Sequence, residues 1–108
     1  MKFNSIYDDN TSLSVFEQLP FRPKRIYYMQ GMKDGDLRGK HAHKINRQVI
    51  ICARGSFDLQ LGNLIKTMSI NDWHLLEPKD WHVMEKFSPD CLILVLASEE
   101  YDESDYIR

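Results

Sequence analysis

An all-β chain closed into a barrel or jelly roll is what three observations predict. Short β-branched or aromatic runs recur throughout, Gly, Asn, Asp and Pro divide them at close intervals, and no stretch carries a convincing helical period. The predicted strands are Leu13 to Glu17, Arg25 to Met29, Gln48 to Ala53, Ser56 to Leu61, Leu64 to Ile70, Trp73 to Leu76, Trp81 to Lys86 and Cys91 to Ala97. Three turns separate them. Gly62-Asn63 lies between two alternating runs as a hairpin turn does, Asn71-Asp72 precedes Trp73, and Ser88-Pro89-Asp90 precedes the apolar strand at Cys91. Hairpins make the sheets antiparallel, and closure is how a short all-β chain avoids exposed edges. The acidic tail around Glu99 to Asp105 is the one place where a helical turn is expected.

Composition narrows the class. The 108 residues fit one domain spanning 1–108, and a hydrophobic fraction of 43% suffices for one core without metal or disulfide staples. No apolar run approaches the roughly 18 to 20 residues that span a bilayer, and "MKFNSIYDDN" lacks the charged-then-apolar layout of a leader. The expected compartment is therefore the cytoplasm, with no membrane partner. Cys52 and Cys91 sit in apolar runs without basic neighbours, so both read as buried small hydrophobes.

The net charge of −2 argues against a nucleic-acid partner, but the charge is unevenly spread. Residues 1–55 hold 10 Lys and Arg against 5 Asp and Glu, and residues 56–108 hold 4 against 11, giving +5 and −7. The basic half contains "GDLRGKHAHKINRQVIICARG", Gly35 to Gly55, in which His41 and His43 flank one small residue. In an extended strand, residues two apart face the same side, so both imidazoles point into the interior while Lys40, Ala42 and Lys44 face out. Imidazole titrates near 6.5 and suits proton transfer at neutral pH, which makes His41 and His43 the candidate catalytic pair.

That run has the spacing of the first cupin signature, with Gln48 where metal-binding members carry glutamate. Taken with "RIYYM" (Arg25 to Met29), "RGKHAHK" (Arg38 to Lys44), "PKDWH" (Pro78 to His82) and "LVLASEEYDESDYIR" (Leu94 to Arg108), the chain resembles the sugar 3,4-ketoisomerases along nearly its whole length. These are small cupin enzymes acting on dTDP-4-keto-6-deoxyglucose. The resemblance implies a cupin-type antiparallel β-barrel or jelly roll, a nucleotide-sugar substrate, no cofactor, and a homodimer that exchanges its N-terminal strand.

The resemblance also implies a carbonyl migration between adjacent sugar carbons. A base removes the proton at carbon 3, an enediol forms, and a proton is delivered to carbon 4, with one histidine acting at carbon and the other relaying between the oxygens. Arg38 is the candidate for stabilising enolate charge, and Tyr28 is the candidate phenol, although Tyr27 and Tyr28 face opposite sides of their strand and only one can point inward. Lys40, Lys44 and Arg47 join Arg38 as candidates for the diphosphate, and Trp81 and His82 for the pocket mouth, where an indole can stack on thymine or sugar. Trp73 and His74 read as structural.

Gln48 separates two chemistries. An amide is a poorer ligand than a carboxylate, Asp80 replaces the usual glycine of the second cupin signature, and His82 comes one residue early, so no metal is expected. Two rival readings use the same residues: a metal cupin such as a small dioxygenase ligating through His41, His43 and His82, or a non-catalytic sugar-binding cupin. Thr11-Ser12 stands where members usually carry an Arg-Gly pair, so the configuration of the product at carbon 4 stays open.

Overall fold

The computed structural model describes residues 1–8 and 11–108. Its strands, in chain order, are β1 (Lys2–Asp8), β2 (Thr11–Glu17), β3 (Arg25–Gln30), β4 (Arg38–His43), β5 (Gln48–Arg54), β6 (Ser56–Leu61), β7 (Leu64–Ser69), β8 (Trp73–Leu76), β9 (His82–Glu85), β10 (Leu92–Ala97) and β11 (Tyr106–Ile107). A four-stranded sheet in the order β3-β10-β5-β8 faces a five-stranded sheet in the order β11-β4-β9-β6-β7, and all pairings are antiparallel. The antiparallel double sheet matches the barrel or jelly roll expected from the strand pattern and the cupin-type fold that the resemblance implies. A separate ribbon, β1-β2, pairs Thr11 with Asp8 and Lys2 with Glu17. No helix among the described residues is long and apolar enough to cross a membrane.

Side-chain alternation builds the interior. On β3, Arg25, Tyr27 and Met29 are half-buried while Ile26, Tyr28 and Gln30 are exposed, and the inward set matches Val95 and Ile93 of β10. Facing them across the sandwich are Phe57, Leu59, Met68 and Met84, with Phe57, Leu59 and Met68 almost wholly shielded from solvent. Burying side chains of this size contributes about 1.5–3 kcal/mol each. β5 is buried on both faces, because Val49 and Ile51 meet Met1, Phe16, Leu19 and Phe21 on the outer side. This explains why "QVIICA" shows no polar alternation.

The punctuating residues act as their chemistry requires. Gly62 turns β6 into β7 at φ +59°, and Asn71 takes φ +73° while the Asp72 carboxylate accepts from Ser69 N at 2.9 Å. Ser88 Oγ donates to Asp90 at 2.8 Å and accepts from Ser56 N at 2.9 Å, tying the turn before β10 to the start of β6. The expected turn in the acidic tail is a single 3-10 turn at Glu103–Asp105, capped by Asp102. Cys52 and Cys91 are free, buried thiols, and burial pushes the Cys52 thiol up to about 11.

Candidate active site

A bulge in β4 sets the position of the histidines. Arg38 and Gly39 pair with Met84 and Val83, then the register slips so that His41 lies directly opposite His82, leaving Lys40 as the extra residue at φ +59°. Gly39 permits the approach: at φ +88°, an added Cβ would sit 3.0 Å from the His82 carbonyl oxygen and 3.2 Å from its ring. On the other flank β11 pairs Tyr106 with His43, so Tyr106, His43, His41 and His82 are carried by three neighbouring strands. The His41 ring centroid is 4.9 Å from those of both His43 and His82, and Tyr106 lies 4.8 Å from His41 and 4.6 Å from His43.

Each imidazole has its Nδ1 held by an oxygen that can only accept. His41 Nδ1 donates to the Gly39 carbonyl at 2.9 Å, His43 Nδ1 to the Asp105 carboxylate at 3.0 Å, and His82 Nδ1 to the Asp80 carbonyl at 3.1 Å. In the neutral ring this leaves Nε2 with the lone pair. His43 Nε2 is buried with no hydrogen-bond partner among the described residues, and so is Arg25 Nε. Such orphaned polar groups are the ones that a substrate oxygen or hydrogen would satisfy.

Burial favours the neutral forms. Desolvation, reinforced by His82 and His43, lowers the pKa of His41 to about 4. Desolvation also lowers His43, against the opposing hydrogen bond and charge of Asp105, and lowers His82 against the pull of the Asp80 carbonyl. The sign for stability follows. The unfolded chain takes up protons near pH 6.5 while the folded chain resists until nearer pH 4, so stability is full above 6.5 and falls as the pH drops through that window. Urea midpoints at pH 7, 5.5 and 4.5 should decline in that order, and less steeply for His41→Asn; equal slopes would show that His41 is not desolvated.

The four-stranded sheet supplies the facing wall. Gln48, 2% exposed, donates through Nε2 to the Tyr27 hydroxyl at 3.0 Å. The Arg25 guanidinium lies 5.5 Å from the Tyr27 ring and 5.7 Å from the Tyr101 ring. Burial raises the Tyr27 phenol's pKa, so it stays protonated. Tyr27 thus joins the histidines together with Arg25, Tyr101, Asp105 and Tyr106, four residues not singled out in the sequence. Their only trace there was membership of the "RIYYM" and "YDESDYIR" motifs.

Other sequence candidates lie elsewhere. Tyr28 is 64% exposed on the outer face of its sheet, opposite Leu94, so Tyr27 and not Tyr28 is the inward tyrosine. Arg47 is held by Glu77 at 2.9 Å and the Pro20 carbonyl at 3.0 Å, and stacks over Phe21, which makes it a brace beneath the N-terminal segment. Trp81 is exposed in a groove with Leu61, Gly62, His74, Lys79 and Asp80, whereas its neighbour His82 is buried. Arg38, Lys40 and Lys44 are exposed along β4 and its end, with Arg38 3.5 Å from Asp36. A cavity of about 490 Å³ opens beside Tyr101 and Asp105, but four carboxylates (Glu99, Glu100, Asp102, Asp105) against one lysine make it a poor seat for a diphosphate.

A cupin metal does not fit this donor set. The position that would supply a carboxylate is Gln48, whose amide is engaged with Tyr27, and among the described residues no three His, Cys, Asp or Glu side chains are grouped to hold an ion.

A double antiparallel sheet with three imidazoles clustered on one inner wall defines a small cupin with a histidine-lined site. The family model described as "FdtA: WxcM-like, C-terminal" matches residues 1–108, and the chain belongs to that family. Its relatives make it one of the sugar 3,4-ketoisomerases. The TDP-4-oxo-6-deoxy-alpha-D-glucose-3,4-oxoisomerase of Aneurinibacillus thermoaerophilus is 40% identical over 116 residues, covering 100% of this chain and 84% of the relative. A histidine-to-asparagine mutant of the 3,4-ketoisomerase QdtA from Thermoanaerobacterium thermosaccharolyticum, solved with TDP-4-keto-6-deoxyglucose, superposes with a TM-score of 0.85 at 38% identity, covering 99% of this chain and 83% of that one. The WlaRB TDP-quinovose 3,4-ketoisomerase of Campylobacter jejuni gives 0.83 at 36% identity, covering 98% and 88%.

Proposed function

We propose that the protein is a metal-independent isomerase that moves the keto group of a dTDP-4-keto-6-deoxyhexose from carbon 4 to carbon 3 by histidine-mediated proton transfer through an enediol. The observation that carries this is the pairing of neutral His41 and His43 on β4, each with Nδ1 occupied and Nε2 free. One of the two takes the proton from carbon 3 through its Nε2, the electron pair forms the carbon 3–carbon 4 double bond of the enediol, and a proton returned to carbon 4 leaves the ketone on carbon 3. The other relays the proton between the two oxygens. Arg25 and the Tyr27 phenol are assigned as the donors to the developing enolate charge, because they are polar groups on the inward face of β3.

The nucleotide is assigned to the basic side chains Arg38 and Lys40 of β4 and Lys44 just beyond it, and His82 is assigned to the wall of the sugar pocket. The homodimer rests on the outer face of the four-stranded sheet, where Ile26 and Tyr28 are exposed, and on the β1-β2 ribbon with its exposed Ile6 and Leu13. A second copy that covered these side chains would remove an apolar surface from water.

Incubation with dTDP-4-keto-6-deoxyglucose in deuterated water, followed by NMR of the sugar carbons, tests the reaction. Deuterium at carbon 4 and a carbonyl at carbon 3 are expected, and the same rate is expected after EDTA treatment. Stoichiometric metal with chelator-sensitive turnover would instead support the metal-cupin reading, and ligand binding without exchange would support the non-catalytic one.

A further inference from the structure

Gln48 and Tyr27 meet across a strand that holds neither of them. Gln48 on β5 and Arg25 on β3 both lie opposite Ala97 of β10, and the next inward pair, Tyr27 and Ile50, lies opposite Val95. Strands two apart in a sheet are separated by roughly 9.5 Å. The 3.0 Å bond from Gln48 Nε2 to the Tyr27 hydroxyl therefore forms because Ala97 between them is small and both side chains are long. Gln48 and Ala97 are almost wholly buried, so the bond is made inside the sandwich. The same wall carries Arg25 Nε and the opposite one His43 Nε2, both buried and neither with a hydrogen-bond partner among the described residues. The Tyr101 ring links the two walls, 5.7 Å from the Arg25 guanidinium and 6.0 Å from the ring of Tyr106, which itself lies 4.6 Å from His43.

An amide NH2 can only donate, so the phenol oxygen accepts, and its single hydrogen has no acceptor among the described residues. From this geometry we infer that Gln48 is a positioning residue that turns the Tyr27 O–H away from β5 and toward the substrate oxygen on which negative charge develops. The inference rests on the proposed reading of Tyr27 as a donor to that charge, and not on how His41 and His43 divide the proton transfers. Gln48 touches no reacting atom and acts through Tyr27. A glutamate here, as in metal-binding cupins, would do the reverse, because a carboxylate only accepts and would draw the phenol hydrogen to itself. The amide leaves the phenol free to donate, and by occupying a lone pair it polarises that O–H into a stronger donor.

Gln48→Glu and Tyr27→Phe, alone and together, test this, with EDTA present so that the new carboxylate holds no ion. Tyr27→Phe should lower turnover about 100-fold, the effect of losing one donor to a developing oxyanion. Gln48→Glu should lower turnover about 10-fold or more while dTDP affinity stays within about threefold of wild type. The double variant should match Tyr27→Phe to within about threefold, because Gln48 has nothing to act through once the hydroxyl is gone. Gln48→Met fills the same space without a strong donor or acceptor and serves if the buried carboxylate prevents folding; it should cost about fivefold, and that loss should likewise vanish beside Tyr27→Phe. Isotope-edited infrared spectra of the tyrosine C–O stretch should show Tyr27 as an acceptor in the wild-type protein and as a donor in Gln48→Glu. Losses that add in the double variants would overturn the inference, as would a folded Gln48 variant with turnover within about twofold of wild type. A wild-type protein that binds dTDP-4-keto-6-deoxyglucose but neither turns it over nor exchanges its proton with solvent would instead overturn the isomerase reading, and this inference with it.

Discussion

His43→Asn should lower turnover about 100-fold or more while leaving the fold intact, because it removes one of the two imidazoles proposed to carry the proton transfer and keeps a side chain able to bond to Asp105. His43 is 4% exposed and packed edge-on to His41, so a much smaller residue would open a hole; asparagine fills part of the ring's volume and can reach the same carboxylate. His41→Asn should also slow turnover about 100-fold. Deuterium incorporation from solvent should fall in step with turnover in the variant that lacks the base at carbon, since abstraction and exchange share one step, and should suffer less in the variant that lacks the relay between oxygens. Near-normal turnover in both variants would remove the histidines from the mechanism. Equal losses of exchange in the two would show that the division of labour between them is wrong.

The reach of the sequence is clearest where side chains alternate, and it ends where function depends on distant partners. β3 displays its two faces in six residues, yet Tyr27 and Tyr28 look alike until β10 fixes which row faces Phe57 and Leu59. β1 was not among the predicted strands, because "KFNSIYD" alternates only weakly and its partner β2 belongs to neither main sheet. The HxH spacing placed two imidazoles together. It did not show the bulge at Lys40 that brings His82 opposite His41. Asp105 lies 62 residues from His43, and no local pattern marks it as a partner. The basic run misled in a different way: nearness in sequence suggested one phosphate rim, but Arg47 turns away to pair with the Glu77 carboxylate and the Pro20 carbonyl.

Gly55→Ala should be the most destabilising single methyl addition among the chain's glycines. Gly55 links β5 to β6 at φ +71°, where an L side chain already costs roughly 1 kcal/mol, and its added Cβ would lie 2.2 Å from Ser88 Oγ, 2.6 Å from Asp90 Oδ1 and 3.0 Å from Cys91 Cα. The hydroxyl cannot simply swing away. It accepts from Ser56 N and donates to Asp90, so moving it breaks the bonds that fasten the turn before β10 to β6. The Cys91 Cα is backbone and yields only if β10, the strand between β3 and β5, shifts with it. Overpacking of this kind costs about 1–3 kcal/mol, giving a total of about 2–4 kcal/mol with the backbone term. Gly62→Ala provides the comparison: it has a similar φ of +59° but nothing within 4 Å of the new Cβ, so it should cost only about 1 kcal/mol. Urea unfolding of the two variants separates steric crowding from backbone strain, and equal midpoints would mean that the Ser88 turn relaxes freely and does not hold β10 in place.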